Sequence, residues 1–233
     1  MGDLGNLGQT GTVLFCTKEG MIMKNIVKFL IIFAIIVISV IIIKKDDELI
    51  VCIDAGHGGF DVGAVNDTRY EKENNLRVAN LVKKYLEEQG IKTIMTRDND
   101  INVSLRQRCK IANRKEADIF VSIHRNSAQT GNGIEIWVDS QNSNEDLKLA
   151  NSILQKLEDT EIQTNRGVKS GTAKGENTDY YVLKNTKMPS CLIELGFISD
   201  DKDNELFDKN IDNYAKAIAN GIIEEIKDEV DGK

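Results

Sequence analysis

Histidine is nearly missing from this chain: of 233 residues, only His57 and His124 carry an imidazole. Basic charge is also short, with 30 Lys and Arg against 37 Asp and Glu and a formal net charge of −7. A general binder of nucleic acid needs a concentrated basic face to displace counterions, so nucleic acid is not expected as a partner. The four cysteines, Cys16, Cys52, Cys109 and Cys191, show no C-x-x-C spacing. That removes the usual zinc-ribbon and thiol-exchange patterns and leaves them as buried small hydrophobes. The H-E-x-x-H helix of many zinc peptidases is absent, as are internal repeats and low-complexity tracts.

What the chain has in excess near its start is apolar length. Residues 26–43 read IVKFLIIFAIIVISVIII, with Lys24 and Lys28 at one end and Lys44 and Lys45 at the other. At 1.5 Å per residue such a run spans about 27 Å, close to the hydrocarbon thickness of a bilayer. Bulky isoleucines stand where a signal peptidase needs small residues. We therefore expect an uncleaved transmembrane anchor over 24–45, with the remainder, 46–233, extracytoplasmic. The lysines nearly tie across the run, so they set its orientation only weakly. Residues 1–23 show no sustained periodicity and read as an unstructured extension.

Beyond the anchor, short apolar runs alternate with amphipathic stretches, which predicts a single α/β domain over 46–233: a twisted, mostly parallel sheet flanked by helices. LIVCID (49–54), GIKTIMTR (90–97), ADIFVSIH (117–124), GIEIWVD (133–139), YYVLK (180–184) and SCLIELGF (190–197) read as strands. Helices are expected from Glu71 to Gln89, after a Ser104/Gln107 capping box with Leu105, Cys109 and Ala112 inward, from Ser143 to Asp159, and from Asp212 to Glu229. Residues 160–179 read as a loop.

Both histidines fall where a ligand belongs. His57 follows a strand inside A-G-H-G-G, and His124 closes another. Reactive groups of open α/β sheets gather beyond the carboxyl ends of the strands, so the two can converge. Glu194 lies in a strand whose neighbours are all apolar, a position that costs several kcal/mol unless the carboxylate is paired or faces an open site. Two histidines and one carboxylate meet the needs of a catalytic metal site, with a second carboxylate left to move protons. Spacing alone does not choose among Glu71, Glu73 and Asp61 as the third ligand. Asp54, Asp61 and Asn126 are candidates to orient the histidines. Glu135 reads either as a groove residue or as an outward one, Arg97 and Arg108 as structural, and Arg125, Lys83 and Lys84 as solvated.

The runs IVCIDAGHGGFDVGAV, YEKENNLRVA, VSLRQRCKIAN, IFVSIHRNS and DYYVLKNTKMPSCLIELGFISD, in this order over residues 49–226, resemble the catalytic domain of zinc-dependent N-acetylmuramoyl-L-alanine amidases. The resemblance implies that His57, Glu71 and His124 ligate Zn2+ and that Glu194 is the catalytic glutamate. It implies hydrolysis of the amide joining N-acetylmuramic acid to the L-alanine of peptidoglycan stem peptides. A bare catalytic domain on a short anchor is similar to the spore-cortex branch of that family, which removes stem peptides so that muramic lactam can form and which can require a lipoprotein partner. Ala55, in place of a frequent proline, and Arg125, in place of a small or apolar residue, depart from the family pattern. Competing readings are a general wall-remodelling amidase, a noncatalytic zinc-stabilised scaffold that holds glycan, and a metallohydrolase of another bond.

Met21 and Met23 precede the first lysine of the apolar run, and translation is expected to start at one of them. N-terminal mass spectrometry of the native protein should then find no peptide from residues 1–20, and recovery of one would refute this start.

Overall fold

Strand β1 (Ile50–Ala55) is apolar almost throughout because both of its faces are covered. Alternate residues divide between two cores. Val51, Ile53 and Ala55 join the larger one and Cys52 the smaller. The computed structural model describes residues 25–34, 49–141, 143–173 and 178–231.

A six-stranded sheet has the order β4-β1-β5-β8-β6-β7, with β4 (Lys92–Met95), β5 (Ile119–Asn126), β8 (Ser190–Phe197), β6 (Ile134–Val138) and β7 (Asn165–Ser170). The four strands from β4 to β8 run parallel, β6 is antiparallel to β8, and β7 is parallel to β6. A two-stranded ribbon, β2 (Val65–Asn66) and β3 (Arg69–Tyr70), leads into α2 (Glu71–Glu88). With α4 (Asn144–Glu158) and α6 (Asp201–Asp231), α2 covers one face of the sheet through Val78, Val82, Ile153, Leu157, Tyr214, Ile218 and Ile222. Among the described residues, two shorter helices, α3 (Leu105–Arg114) and α5 (Tyr181–Asn185), pack on the other face, against Cys52, Phe120, Leu192 and Trp137. The part of that face beyond them is where the polar side chains of β5, β8 and β6 emerge.

Helix α1 (25–34) is exposed and belongs to a separate unit, Met1–Asp47. No helix among the described residues is long and apolar enough to cross a membrane. The rest of the expected anchor, residues 24 and 35–45, and the extension 1–23 lie outside the described residues.

Several expectations are corrected. YYVLK is helix α5 with Tyr180 as its N-cap and not a strand: Val182 and Leu183, adjacent in sequence, both join the smaller core, whereas successive residues of a strand point to opposite faces. Strand β7 lies inside the expected loop; as an edge strand it tolerates the polar run NRGVKS, which carries no apolar signal. Helix α6 begins at Asp201, eleven residues before its expected start. Leu105 is 53% exposed, whereas Cys109 and Ala112 point inward as expected. The Ser104/Gln107 capping box is present in full, and Cys52, Cys109 and Cys191 are buried and free.

Under the face that carries the polar groups lies a buried ion pair. Arg108 Nη1 is 2.7 Å from Asp54 Oδ1, and Thr96 and Ser122 donate hydroxyl hydrogen bonds to the same carboxylate. Burial opposes ionisation of Asp54, but Arg108 and the two hydroxyls outweigh it and hold the carboxyl below its ordinary range. Its stabilising contribution is therefore complete above about pH 4 and is lost as the pH falls through the lower folded value. Asp54→Asn, which leaves Arg108 buried without its counterion, should cost about 3 to 5 kcal/mol at pH 7. Urea unfolding at pH 7 and at pH 3 should show the gap to the natural protein narrowing in acid, and a gap independent of pH would contradict the assignment.

Candidate active site

The loop after β1 is drawn into shape by cations on its carbonyl groups. Arg108 donates to the oxygens of Ala55 and His57, each at 2.6 Å, and Arg97 to those of Ala55 and Gly56, each at 2.8 Å. Lys72 Nζ donates to the carbonyl oxygen of Gly59 at 2.9 Å. Held this way, His57 adopts φ 60, a left-handed conformation rare for a residue with a side chain. Its Nδ1 lies 2.9 Å from Asp61 Oδ1, which turns Nε2 toward Glu71. Asp61 is thus the orienting carboxylate that was sought. Asp54 engages Arg108, and Asn126 engages Glu135; neither bonds a histidine.

Glu71 opens helix α2, where the helix dipole favours a carboxylate. It is 4% exposed. Oε2 lies 3.1 Å from His57 Nε2, and Oε1 lies 2.9 Å from His124 Nδ1. The backbone N–H groups of Ala64 and Arg125 and the Asn75 amide donate to the same carboxylate. Burial pushes the Glu71 carboxyl up, but hydrogen bonds from His124 and His57 prevail and hold it well below the usual range. Burial likewise opposes protonation of His57, and Glu71 and Asp61 outweigh it to raise its pKa.

His57, Glu71 and His124 each offer one ligand atom, all within 4.8 Å of one another, an arrangement that could hold a metal ion. Two imidazole nitrogens and one carboxylate oxygen form a donor set suited to a borderline divalent cation. Glycine is required around it. A Cβ on Gly56 would lie 2.3 Å from the His124 ring, and one on Gly63 would lie 2.6 Å from Glu71 Oε2. Neither Glu73, which is exposed, nor Asp61 belongs to the set.

Strand β5 runs two residues past its expected end at His124, and its pairing with β8 shifts between His124 and Asn126. His124 pairs with Glu194, and Glu194 with Glu135 on β6, so three ionisable side chains form a row across the sheet. Glu194 is 7% exposed, and its Oε2 has no hydrogen-bond partner. Burial, then the nearby Glu71 and Glu135, push its carboxyl well above the usual range. His57, Glu71, His124 and Glu194 line a groove of about 590 Å³, whose apolar wall includes Val103, Leu105, Tyr180, Tyr181 and Val182.

Glu135 is 2% exposed and is saturated by Asn126, Trp137, Arg166 and Lys169. Arg166 and Lys169 escaped the sequence reading because strand β7 did. Arg125 overturns its reading as a solvated side chain: it is 2% exposed, donates to Asn74 and Asn204 at 3.0 Å each, and lies 4.3 Å over the Phe207 ring. Burial lowers its pKa to about 10, which leaves it charged at neutral pH. The guanidinium joins α2 and α6 to the strand that carries His124. Arg125→Met should cost about 1 to 3 kcal/mol for each amide left unpaired, and Arg125→Lys should not rescue it, because one ammonium does not reproduce a planar fork. Denaturant unfolding of both variants tests this; a loss under about 0.5 kcal/mol would fit a surface residue instead.

A family model described as N-acetylmuramoyl-L-alanine amidase matches residues 51–224. The chain is 32% identical to the germination-specific N-acetylmuramoyl-L-alanine amidase of Bacillus subtilis, over 75% of this chain and 78% of that protein. It is 35% identical to the N-acetylmuramoyl-L-alanine amidase LytC of the same organism over 73% of this chain, spanning only 34% of LytC. Among solved structures, the CwlD amidase from Clostridioides difficile in complex with the GerS lipoprotein superposes with a TM-score of 0.65 at 31% identity, covering 77% of this chain and 98% of that one.

Proposed function

The chain belongs to the N-acetylmuramoyl-L-alanine amidase family, and from that premise we propose that it is a zinc-dependent hydrolase of the amide between N-acetylmuramic acid and the L-alanine of peptidoglycan stem peptides. His57, Glu71 and His124 are the metal ligands in this reading and Glu194 is the catalytic residue. The observation that carries it is the unpartnered carboxylate oxygen of Glu194, buried in register with His124 and opening on the groove.

Bound at His57, Glu71 and His124, zinc would supply a Lewis acid for the amide carbonyl and would lower the pKa of water there. Glu194 takes a proton from that water and delivers it to the leaving nitrogen, so that the stem peptide departs with a free L-alanine amine and the muramic lactyl group keeps a carboxylate. Asp61 fixes the His57 ring, while Ala64, Asn75 and Arg125 hold Glu71 in place, so the ligands need little reorganisation. The wall formed by Leu105, Tyr180 and Tyr181 limits water on one side of the groove.

We place the enzyme at the spore cortex, tethered by residues 26–43 with the domain outside the membrane and an activating lipoprotein as partner. Supporting this are the 32% identity to the germination-specific amidase and the likeness to CwlD, whose structure contains the GerS lipoprotein. A glycan-holding scaffold would gain nothing from a buried, unpaired carboxylate, which costs folding energy.

Residues 46–233 incubated with zinc and muropeptides should release intact stem peptides, identified by mass spectrometry. Unmodified substrate, even with a lipoprotein partner added, would support the scaffold instead. Glu194→Ala should lower turnover at least about 100-fold with zinc content intact by atomic absorption, whereas His124→Ala should lose the metal. A zinc-free Glu194→Ala protein would reverse the roles of the two glutamates.

A further inference from the structure

The row that crosses the sheet does not stop at Glu135. Strand β7 lies beyond β6, and from it Arg166 and Lys169 both reach the same oxygen, Glu135 Oε2, Arg166 Nε at 2.8 Å. The other oxygen, Oε1, accepts from Asn126 Nδ2 at 2.7 Å and from Trp137 Nε1 at 3.1 Å. Two cations therefore share one carboxylate, leaving a local positive surplus in a chain whose net charge is −7. Both remain open to solvent, with side chains 36% and 32% exposed. Arg166 rests over the Phe197 ring and uses Nη1 on the carbonyl of Asn132, so Nη2 has no hydrogen bond among the described residues. Lys169 sits 5.3 Å from the centre of the Trp137 ring, which in turn packs edge-on against Tyr180 of the groove. Asn126, which ties Glu135 to the groove, lines it as well.

We propose that Arg166 and Lys169, which lie just past the groove residues Asn126 and Tyr180, form an anion-binding extension of the groove and receive a carboxylate on the peptide side of the scissile amide. The assignment rests on the amidase reading above and adds to it which end of the groove takes the peptide. In a muramoyl peptide the sugar is neutral and its lactyl carboxyl is consumed in the amide, so free carboxylates near the bond belong to the peptide. The apolar wall, with Val103, Leu105 and Tyr181, offers surface suited to the neutral sugar. Two stacked, partly neutralised cations suit a carboxylate that must leave after each turnover, since solvent weakens the pairing.

The test uses the full chain, zinc-loaded in detergent, and two substrates that differ in one group, both with the γ-carboxyl blocked as a methylamide: N-acetylmuramoyl-L-alanyl-D-glutamic acid γ-methylamide, with a free α-carboxylate, and its α-carboxamide analogue. The natural protein should favour the carboxylate form in kcat/KM by about tenfold, through KM and not kcat. Lys169→Gln and Arg166→Gln should each shrink that ratio, and the pair should bring it to about one, while Lys169→Arg preserves it. Each single variant leaves Glu135 with one cation, Asn126 and Trp137, and unchanged thermal unfolding would separate lost recognition from lost folding. A ratio near one in the natural protein, or one that the variants leave intact, overturns the proposal. Failure to cleave either substrate, even with a lipoprotein partner added, counts against the amidase reading. The carboxylate site is then judged by calorimetric binding of the two corresponding γ-methylamide dipeptides, with and without the α-carboxylate, to the same proteins, where equal affinity for the two peptides overturns it.

Discussion

A guanidinium buried between strand β1 and helix α3 holds the architecture of the site. Arg108 neutralises Asp54 and spends its remaining donors on the carbonyls of Val103, Ala55 and His57. Without those bonds, the loop would have little reason to keep His57 in a left-handed conformation, and without that conformation Nε2 would not meet Glu71. The pair is thus less a source of net stability than a means of making one backbone path preferable to its alternatives. Arg125 does similar work from the opposite side, where its own N–H binds Glu71 and its side chain anchors α2 and α6. Two buried cations, neither touching the groove's unpartnered carboxylate, define where that carboxylate's neighbours stand.

Much of this was legible in the sequence because the strongest signals were burial signals. Runs such as ADIFVSIH and SCLIELGF are apolar on both faces, and only a central strand of a layered sheet needs that. Against such a background His124 and Glu194 stand out as misfits, and misfits in a buried strand mark chemistry. Glu71 was harder. It heads an ordinary amphipathic helix and has acidic competitors nearby, so only the family pattern, and later its contacts with both imidazoles, separated it from Glu73 and Asp61.

What stayed hidden has a common physical cause. Strand β7 is polar because it is an edge, so its pairing with β6 leaves no periodic trace, and Arg166 and Lys169 went unnoticed with it. Arg125 looked solvated because charge predicts exposure on average, whereas its acceptors, Asn74 and Asn204, lie far away in sequence. Glu135 could have been placed by alternation along β6, but its alignment with Glu194 depends on the antiparallel register, which no local pattern encodes.

Helix α5 separates two kinds of rigidity. It has five residues and no side-chain cap at its N-terminus, and it is fastened chiefly by Val182 and Leu183 in the smaller core and by Asn113 on the carbonyl of Asn185. A helix this short has no stability of its own. The larger core backs α2 and β5, which carry Glu71 and His124, whereas Tyr180 and Tyr181 ride on a short segment held by the smaller core. Opening of that wall would widen the cleft for a branched substrate while Glu71 and His124 stay fixed from the other side of the sheet, so the two sides of the groove answer to different cores.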